Sequence, residues 1–298
     1  MCGIVGLFLK DKSLEPQLGA MLSEMLVLLT DRGPDSAGIA IYGSSAAGHG
    51  KITIQSPSPD VDFTGLDSEV SREIGAPVAM TVKSTHAVLE LPADKLELAR
   101  DAIATLRPDA RIMGVGESIE IYKEVGLPEE VAKRFDLSAM SGSHGIGHTR
   151  MATESAVTTM GAHPFSTGPD QCLVHNGSLS NHNNVRRELR RAGMKFETEN
   201  DTEVAAAYLS HQIATGKGLG EALESSLNDL DGFFTFVVGT KNGFGVVRDP
   251  IACKPAVMAE TDQYVAFGSE YRALANLPGV EQARVWEPEP STVYFWEH

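Results

Sequence analysis

Two short apolar runs, residues 3–8 and 37–42, flank one amphipathic segment, and that arrangement restricts the fold more than any other feature of the chain. Apolar runs of this length suit strands that are buried on both faces. Between them Leu18, Met21, Leu22, Met25, Leu26 and Leu29 recur at helical spacing, which predicts an amphipathic helix over Gln17–Thr30. The helix must end before Asp31-Arg32-Gly33-Pro34-Asp35, because a Gly-Pro pair reads as a loop.

The texture changes after the Gly/Ser/Ala-rich connector Gly43–Gly50. Thr85–Leu91 alternates like a strand, Ala93–Leu106 has helical periodicity, and Arg111–Ile121 reads as another strand. A short helix follows Gly126-Leu127-Pro128 and runs to Phe135. These elements predict a small α/β insert over 51–139, interrupting a domain that otherwise spans 1–298. After Ser141 the first pattern resumes. Gln171–His175 is strand-like, Asn181–Ala192 is helical up to Gly193, Thr202–Thr215 is helical up to Gly216, and Leu219–Leu230 is a further helix. Strand-like runs then follow at Phe233–Gly239, Phe244–Val247, Ala256–Ala259 and Tyr264–Phe267. This order predicts an α+β fold with helices layered on antiparallel sheets, not an alternating parallel fold.

Composition excludes several functions. Lys and Arg total 25 against 40 Asp and Glu, a formal charge of −15 with no basic run, so a nucleic-acid backbone is not an expected partner. No stretch of 18 apolar residues predicts a membrane span, and the first ten residues lack the pattern of a secretory signal. Cys2, Cys172 and Cys253 are too few and too scattered for a disulfide framework or a zinc site, which points to a reducing, cytoplasmic setting.

Cys2 differs in kind from the other two. Its small side chain predicts removal of Met1 by aminopeptidase, leaving a free α-amine beside the thiol. A thiolate is a strong nucleophile and a neighbouring amine can take its proton, so this one residue carries both nucleophile and base. Taken alone, such a cysteine is more commonly a small buried hydrophobe. The remaining motifs change that balance.

In order along the chain stand Cys2-Gly3-Ile4, Arg32-Gly33-Pro34-Asp35-Ser36-Ala37-Gly38, Gly145-Ile146-Gly147-His148-Thr149-Arg150-Met151-Ala152-Thr153, Gly161-Ala162-His163-Pro164, Val174-His175-Asn176-Gly177 and Glu199-Asn200-Asp201-Thr202-Glu203. The resemblance extends to Asp231-Gly232-Phe233-Phe234, Arg248-Asp249-Pro250 with Lys254-Pro255, and Gly268-Ser269-Glu270. In this set and order the chain resembles the class II glutamine amidotransferases, over about residues 2–50 and 140–290. The resemblance implies the four-layer αββα sandwich of N-terminal-nucleophile hydrolases.

It also implies roles. Cys2 would attack the glutamine side-chain amide, with the Asn176 amide and the Gly177 N–H receiving the oxyanion. Read alone, Asn176-Gly177 is a turn after a strand. Arg150 would hold the substrate α-carboxylate as a two-pronged pair; in isolation it could be a surface cation, but the strand-like Gly145-Ile146-Gly147-His148-Thr149 before it argues for a sheet end. Asp201 would hold the α-ammonium; Asn200 with Glu203 also reads as a helix cap, and an acid there suits the helix dipole. Thr153 lies in the glutamine-loop segment Met151–His163 as a further substrate contact, while Glu154 stands where some relatives carry His. Arg32 and His175 would support loops near Cys2. His144, His148, His163 and His175 read as structural, and no metal is expected.

The resemblance implies no cofactor in this chain, since the insert carries no nucleotide or flavin fingerprint. Amine acceptor chemistry would then sit on other subunits. A free-standing amidotransferase subunit of this kind most resembles the small subunit of N-methylglutamate synthase, a glutamate-synthase-like assembly whose partner subunits carry flavin and iron–sulfur clusters. In that case the donor is either glutamine or γ-glutamylmethylamide, delivering ammonia or methylamine. Two alternatives stay open at this point: a non-catalytic assembly or regulatory subunit that keeps the fold, and a stand-alone hydrolase acting on another amide.

Overall fold

A computed structural model describes residues 2–152 and 156–298. The chain opens with β1 (Gly3–Leu9), α1 (Leu18–Val27) and β2 (Ser36–Tyr42). It continues through β3 (His49–Gln55), α2 (Pro59–Asp62), α3 (Leu66–Ile74), β4 (Ala79–Lys83), β5 (His86–Pro92), α4 (Leu96–Leu106) and β6 (Arg111–Gly116). Then come β7 (Ile119–Val125), α5 (Pro128–Arg134), β8 (His144–Arg150), β9 (Phe165–Gly168) and β10 (Gln171–Leu179). Three helices follow, α6 (His182–Arg191), α7 (Asp201–Ala214) and α8 (Leu219–Asp229). The chain ends with β11 (Gly232–Gly239), β12 (Gly243–Arg248), β13 (Val257–Glu260), β14 (Tyr264–Gly268), β15 (Arg284–Trp286) and β16 (Val293–Glu297).

The strands form three antiparallel sheets, ordered β15-β13-β14-β1-β8-β2-β7, β16-β12-β11-β10-β9 and β4-β5-β3-β6. The first two stack face to face. Because side chains alternate across a strand, Ile4 and Phe8 of β1, Ile146 of β8, and Cys172 and Val174 of β10 meet Val237, Phe244 and Phe267 between these sheets. The opposite face of the first sheet is sealed by α1: Leu18, Leu22, Met25 and Leu26 pack on Val5, Leu7 and Ile39. The outer face of the second is covered by α7 and α8, through Ala205, Leu209 and Leu223 against Leu173, Phe234 and Phe236. The result is the expected four-layer αββα sandwich. Gly6 serves this close stacking, since a Cβ there would lie 2.6 Å from the Phe244 ring.

The third sheet has its own apolar centre, with Ile52, Ile54, Leu89 and Leu91 packed on Leu66, Val70, Ala99 and Ile103 of α3 and α4. The run Arg111–Ile121 is not one strand. It breaks after Gly116, and β7 instead completes the edge of the first sheet by pairing with β2, Gly38 opposite Lys123. The element that stands apart therefore ends at β6, not at residue 139, and α5 packs Val131, Ala132 and the adjoining Phe135 into the layer under α1. A buried carboxylate at the β9–β10 turn holds the break: Asp170 accepts from the Glu117, Ser118 and Ile119 N–H groups at 2.7–3.0 Å and from the Ser118 hydroxyl at 3.0 Å. No helix among the described residues is long and apolar enough to cross a membrane.

Candidate active site

Strand parity brings three of the expected site residues, Cys2, Arg150 and Asn176, to one end of the sandwich. Ile4 and Phe8 point between the sheets, so Cys2 continues that row. β1 pairs with β8 with Gly3 opposite Thr149, and one further step sets Cys2 beside Arg150, which ends β8 on the inward row of Ile146. Across the gap, Asn176 follows Cys172 and Val174 on the inward row of β10. The Asn176 amide nitrogen donates to the Cys2 carbonyl at 3.2 Å. Asn176 and Gly177 do not form a turn. β10 runs on to Leu179, with Gly177 opposite Phe234. Gly177 has φ of +148°, and a Cβ there would lie 1.9 Å from the Phe233 carbonyl oxygen, so no side chain fits.

The strand that follows Cys2 is fixed from two sides. Arg32, 8% exposed, donates from Nε to the Cys2 carbonyl at 3.0 Å and pairs with Glu270 at 2.6 Å. The Ser269 hydroxyl accepts from the Ile4 N–H at 2.9 Å, while the Ser269 N–H donates to the Ile4 carbonyl at 2.9 Å. The thiol itself is half-buried, with Sγ 3.9 Å from the Met151 carbonyl oxygen. On the same rim, Asp35 accepts from the Ala152 N–H at 2.7 Å. Arg150 is buried and donates from Nη1 to the Ala156 carbonyl at 3.3 Å. Thr153 lies outside the described residues, as do Met1 and Glu154.

Asp201 is the first residue of α7, and Asn200 caps the helix by accepting from the Thr202 N–H at 2.8 Å. The reciprocal half of a capping box does not form, because Glu203 turns back to accept from the Glu197 and Thr198 N–H groups at 2.8 Å. Asp201 Oδ2 accepts from the Leu179 N–H at 2.9 Å, tying α7 to the end of β10. Its other oxygen lies 3.8 Å from His175 Nδ1. Asp201 thus stands at once at a helix start, at the end of β10 and beside His175.

Three of the four histidines converge beneath these groups, although they come from separate segments. Thr202 Oγ1 lies 3.1 Å from His175 Nδ1 and 2.8 Å from His163 Nε2, and His163 stacks on His148 at 4.0 Å. A hydroxyl has one proton and two lone pairs, so at least one of the two rings donates to Thr202. His148 Nε2 lies 3.1 Å from the His175 carbonyl oxygen, which can only accept, so that nitrogen carries a proton. Burial keeps all three rings neutral: it pulls His148 down to about 3, His163 well below its usual value, and His175 down against the opposing pull of Asp201. His144 stands elsewhere, stacked on Tyr42 at 4.1 Å. Among the described residues no group of three His, Cys, Asp or Glu side chains is arranged to hold a metal ion. The bridging place of Thr202 was not legible from spacing, though it sits inside a motif that sequence singled out.

This geometry is accompanied by clear kinship. Residues 148–276 match the glutamine amidotransferase domain family. The chain belongs to the class II glutamine amidotransferases, enzymes that hydrolyse amides with an N-terminal-nucleophile fold. It is 71% identical to the glutamine amidotransferase-like protein GlxB of Rhizobium meliloti, over all of this chain and 99% of that one. It is 35% identical to a putative glutamine amidotransferase of Methanothermobacter thermautotrophicus, over 99% of both. The glutamine phosphoribosylpyrophosphate amidotransferase of B. subtilis shares the fold, with a TM-score of 0.62 at 20% identity over 99% of this chain. The present chain spans 47% of that structure's length.

Proposed function

We propose that this chain is the amide-cleaving subunit of an amidotransferase and that Cys2 is its nucleophile. With Met1 removed, the Cys2 α-amine takes the thiol proton and the sulfur attacks the side-chain amide of a glutamine-type donor. The Asn176 amide and the Gly177 N–H receive the oxyanion. As the tetrahedral adduct collapses, the C–N bond breaks and the departing amine takes up a proton. A γ-glutamyl thioester remains, and water cleaves it to free glutamate and the thiol. Arg150 binds the donor's α-carboxylate and Asp201 its α-ammonium, with Thr153 as a further contact. Arg32 and His175 hold their surroundings in register. The observation that carries this reading is the convergence of Cys2, Arg150 and Asn176 on one inward-facing end, with the Asn176 amide 3.2 Å from the Cys2 carbonyl.

The released amine, ammonia from glutamine or methylamine from γ-glutamylmethylamide, passes to a synthase site on partner subunits that carry flavin and iron–sulfur clusters, as in an N-methylglutamate-synthase-like assembly. Free ammonia in neutral water is mostly protonated and no longer nucleophilic, which favours delivery within a complex. Similarity along its whole length to a GlxB-like amidotransferase supports a separate subunit. The decisive experiment joins intact-mass measurement of the N-terminus with Cys2→Ala. The reading requires a mature chain beginning at Cys2 and no amine release by the variant from either donor. Activity in C2A, or a blocked Cys2 amine in active protein, overturns it.

A further inference from the structure

Lys123 lies on β7, outside every motif that sequence reading singled out, and is only 4% exposed. Its Nζ donates to the carbonyl oxygens of Ala162 at 2.9 Å, Pro164 at 3.3 Å and Met160 at 3.5 Å. An ammonium has three donors, and here all three are met by main-chain carbonyls of one short segment. The same nitrogen sits 4.6 Å from the centre of the Phe165 ring. Burial draws its pKa down to about 8, and the charges of Glu203 and Glu197 act in the opposite direction.

The segment it gathers is linked on either side to the residues given substrate roles above. Upstream, Arg150 Nη1 donates to the Ala156 carbonyl. Downstream, His163 meets Thr202, which meets His175 beside Asp201. Opposite Lys123, Gly38 lets the segment lie directly on β2, since a Cβ there would fall 2.0 Å from the His163 carbonyl oxygen. The neighbouring Glu124 accepts from the Thr159 hydroxyl and from the Thr85 hydroxyl at 2.9 Å, securing the same segment toward the third sheet.

We propose that Lys123 is a positioning residue for amide hydrolysis: by gathering the carbonyls of residues 160–164 it fixes both Arg150 and the histidine–threonine support of Asp201 for a donor's charged α-groups. This rests on the substrate roles given above to Arg150 and Asp201. Lys123 does not approach Cys2, so its removal acts on donor binding and not on the thiol. In Lys123→Met three main-chain carbonyls, two of them buried, lose their donor, and the segment must move toward water to regain one.

The test uses the full chain with its partner subunits, Lys123→Met and Lys123→Gln, steady-state kinetics with glutamine, and alkylation of Cys2 by iodoacetamide. K123M should raise KM by about tenfold or more, equivalent to ~1.4 kcal/mol of binding, while kcat and the alkylation rate stay near the parent values. K123Q, which keeps two donors, should give a smaller rise in the same direction; it decides the matter if K123M does not fold. An unchanged KM in a folded variant overturns the proposal, as does a parallel fall in kcat and alkylation. Cys2→Ala in the same series separates the two readings. If C2A is inactive and K123M has an unaltered KM, the Lys123 role fails alone; activity in C2A rejects the nucleophile assignment instead.

Discussion

Replacing Asn176 by alanine tests the site at its centre. The Asn176 amide carries two N–H donors, of which one is directed at the Cys2 carbonyl at 3.2 Å. On the proposed reading the other serves an oxyanion forming next to the thiol. That carbonyl also accepts from Arg32 Nε at 3.0 Å, and Ile4 is held by Ser269, so β1 keeps its start when Asn176 is shortened. The stability cost should therefore be that of one ordinary hydrogen bond, about 1 kcal/mol, which for a chain of this size lowers Tm by roughly 1–2 °C. The kinetic cost should be far larger. Losing one preorganised donor to a tetrahedral intermediate costs about 100- to 1000-fold in kcat, or roughly 3–4 kcal/mol. Glutamine-dependent amine release measures kcat, thermal unfolding measures stability, and iodoacetamide alkylation reports whether the thiol is still presented. A folded N176A protein with normal alkylation and less than about a tenfold loss of kcat would refute the oxyanion role, since it falls well short of one lost donor.

Two further expectations follow from the same geometry. Asp201→Asn keeps an oxygen for the Leu179 N–H, so the junction of α7 and β10 should survive while charge pairing with a donor's α-ammonium is lost. KM should rise by about tenfold or more, as expected for one missing ionic contact; an unchanged KM would leave Asp201 with its helix-terminal role alone. The second expectation concerns acid. His86, His144 and His148 are buried and drawn down to about 3, chiefly by loss of solvation. Their folded pKa values lie below the unfolded one, so the unfolded chain binds more protons as pH falls through the window from about 6.5 to 3. Stability from these rings is complete above about pH 6.5 and is lost below it, at roughly 1.4 kcal/mol per pH unit for each ring. Thermal unfolding between pH 7.5 and 5 should give a Tm that is level above about pH 6.5 and falls below it, and a flat profile throughout would count against neutral burial of the three.

Much of the sandwich could be read from periodicity. The amphipathic stripe of Leu18–Leu26 reports which face α1 buries because a helix repeats every 3.6 residues whatever it packs against. Arg111–Ile121 misled for a related reason. Ile112, Met113 and Val115 are followed by Ile119 and Ile121, so apolar residues stand on both sides of Gly116-Glu117-Ser118. It is Asp170, some fifty residues away, that closes the turn sending β6 and β7 to different sheets. The Asn176-Gly177 pair reads locally as a turn, yet pairing with β11 holds it extended. Such tertiary contacts override local preference because they satisfy main-chain groups that a turn would have left to solvent.

The order of motifs, by itself, determined the family, the nucleophile candidate and the charged pair Arg150 and Asp201, since residue types at fixed positions carry their chemistry with them. What folding alone decided is which of them meet. Cys2 and Asn176 are 174 positions apart and join only because two sheets stack with matching side-chain parity. Thr202 becomes a bridge between His163 and His175 by the same means, and Lys123 acquires three carbonyl partners from a segment some forty residues downstream. Proximity of that kind is a property of packing, so no local pattern in the chain encodes it.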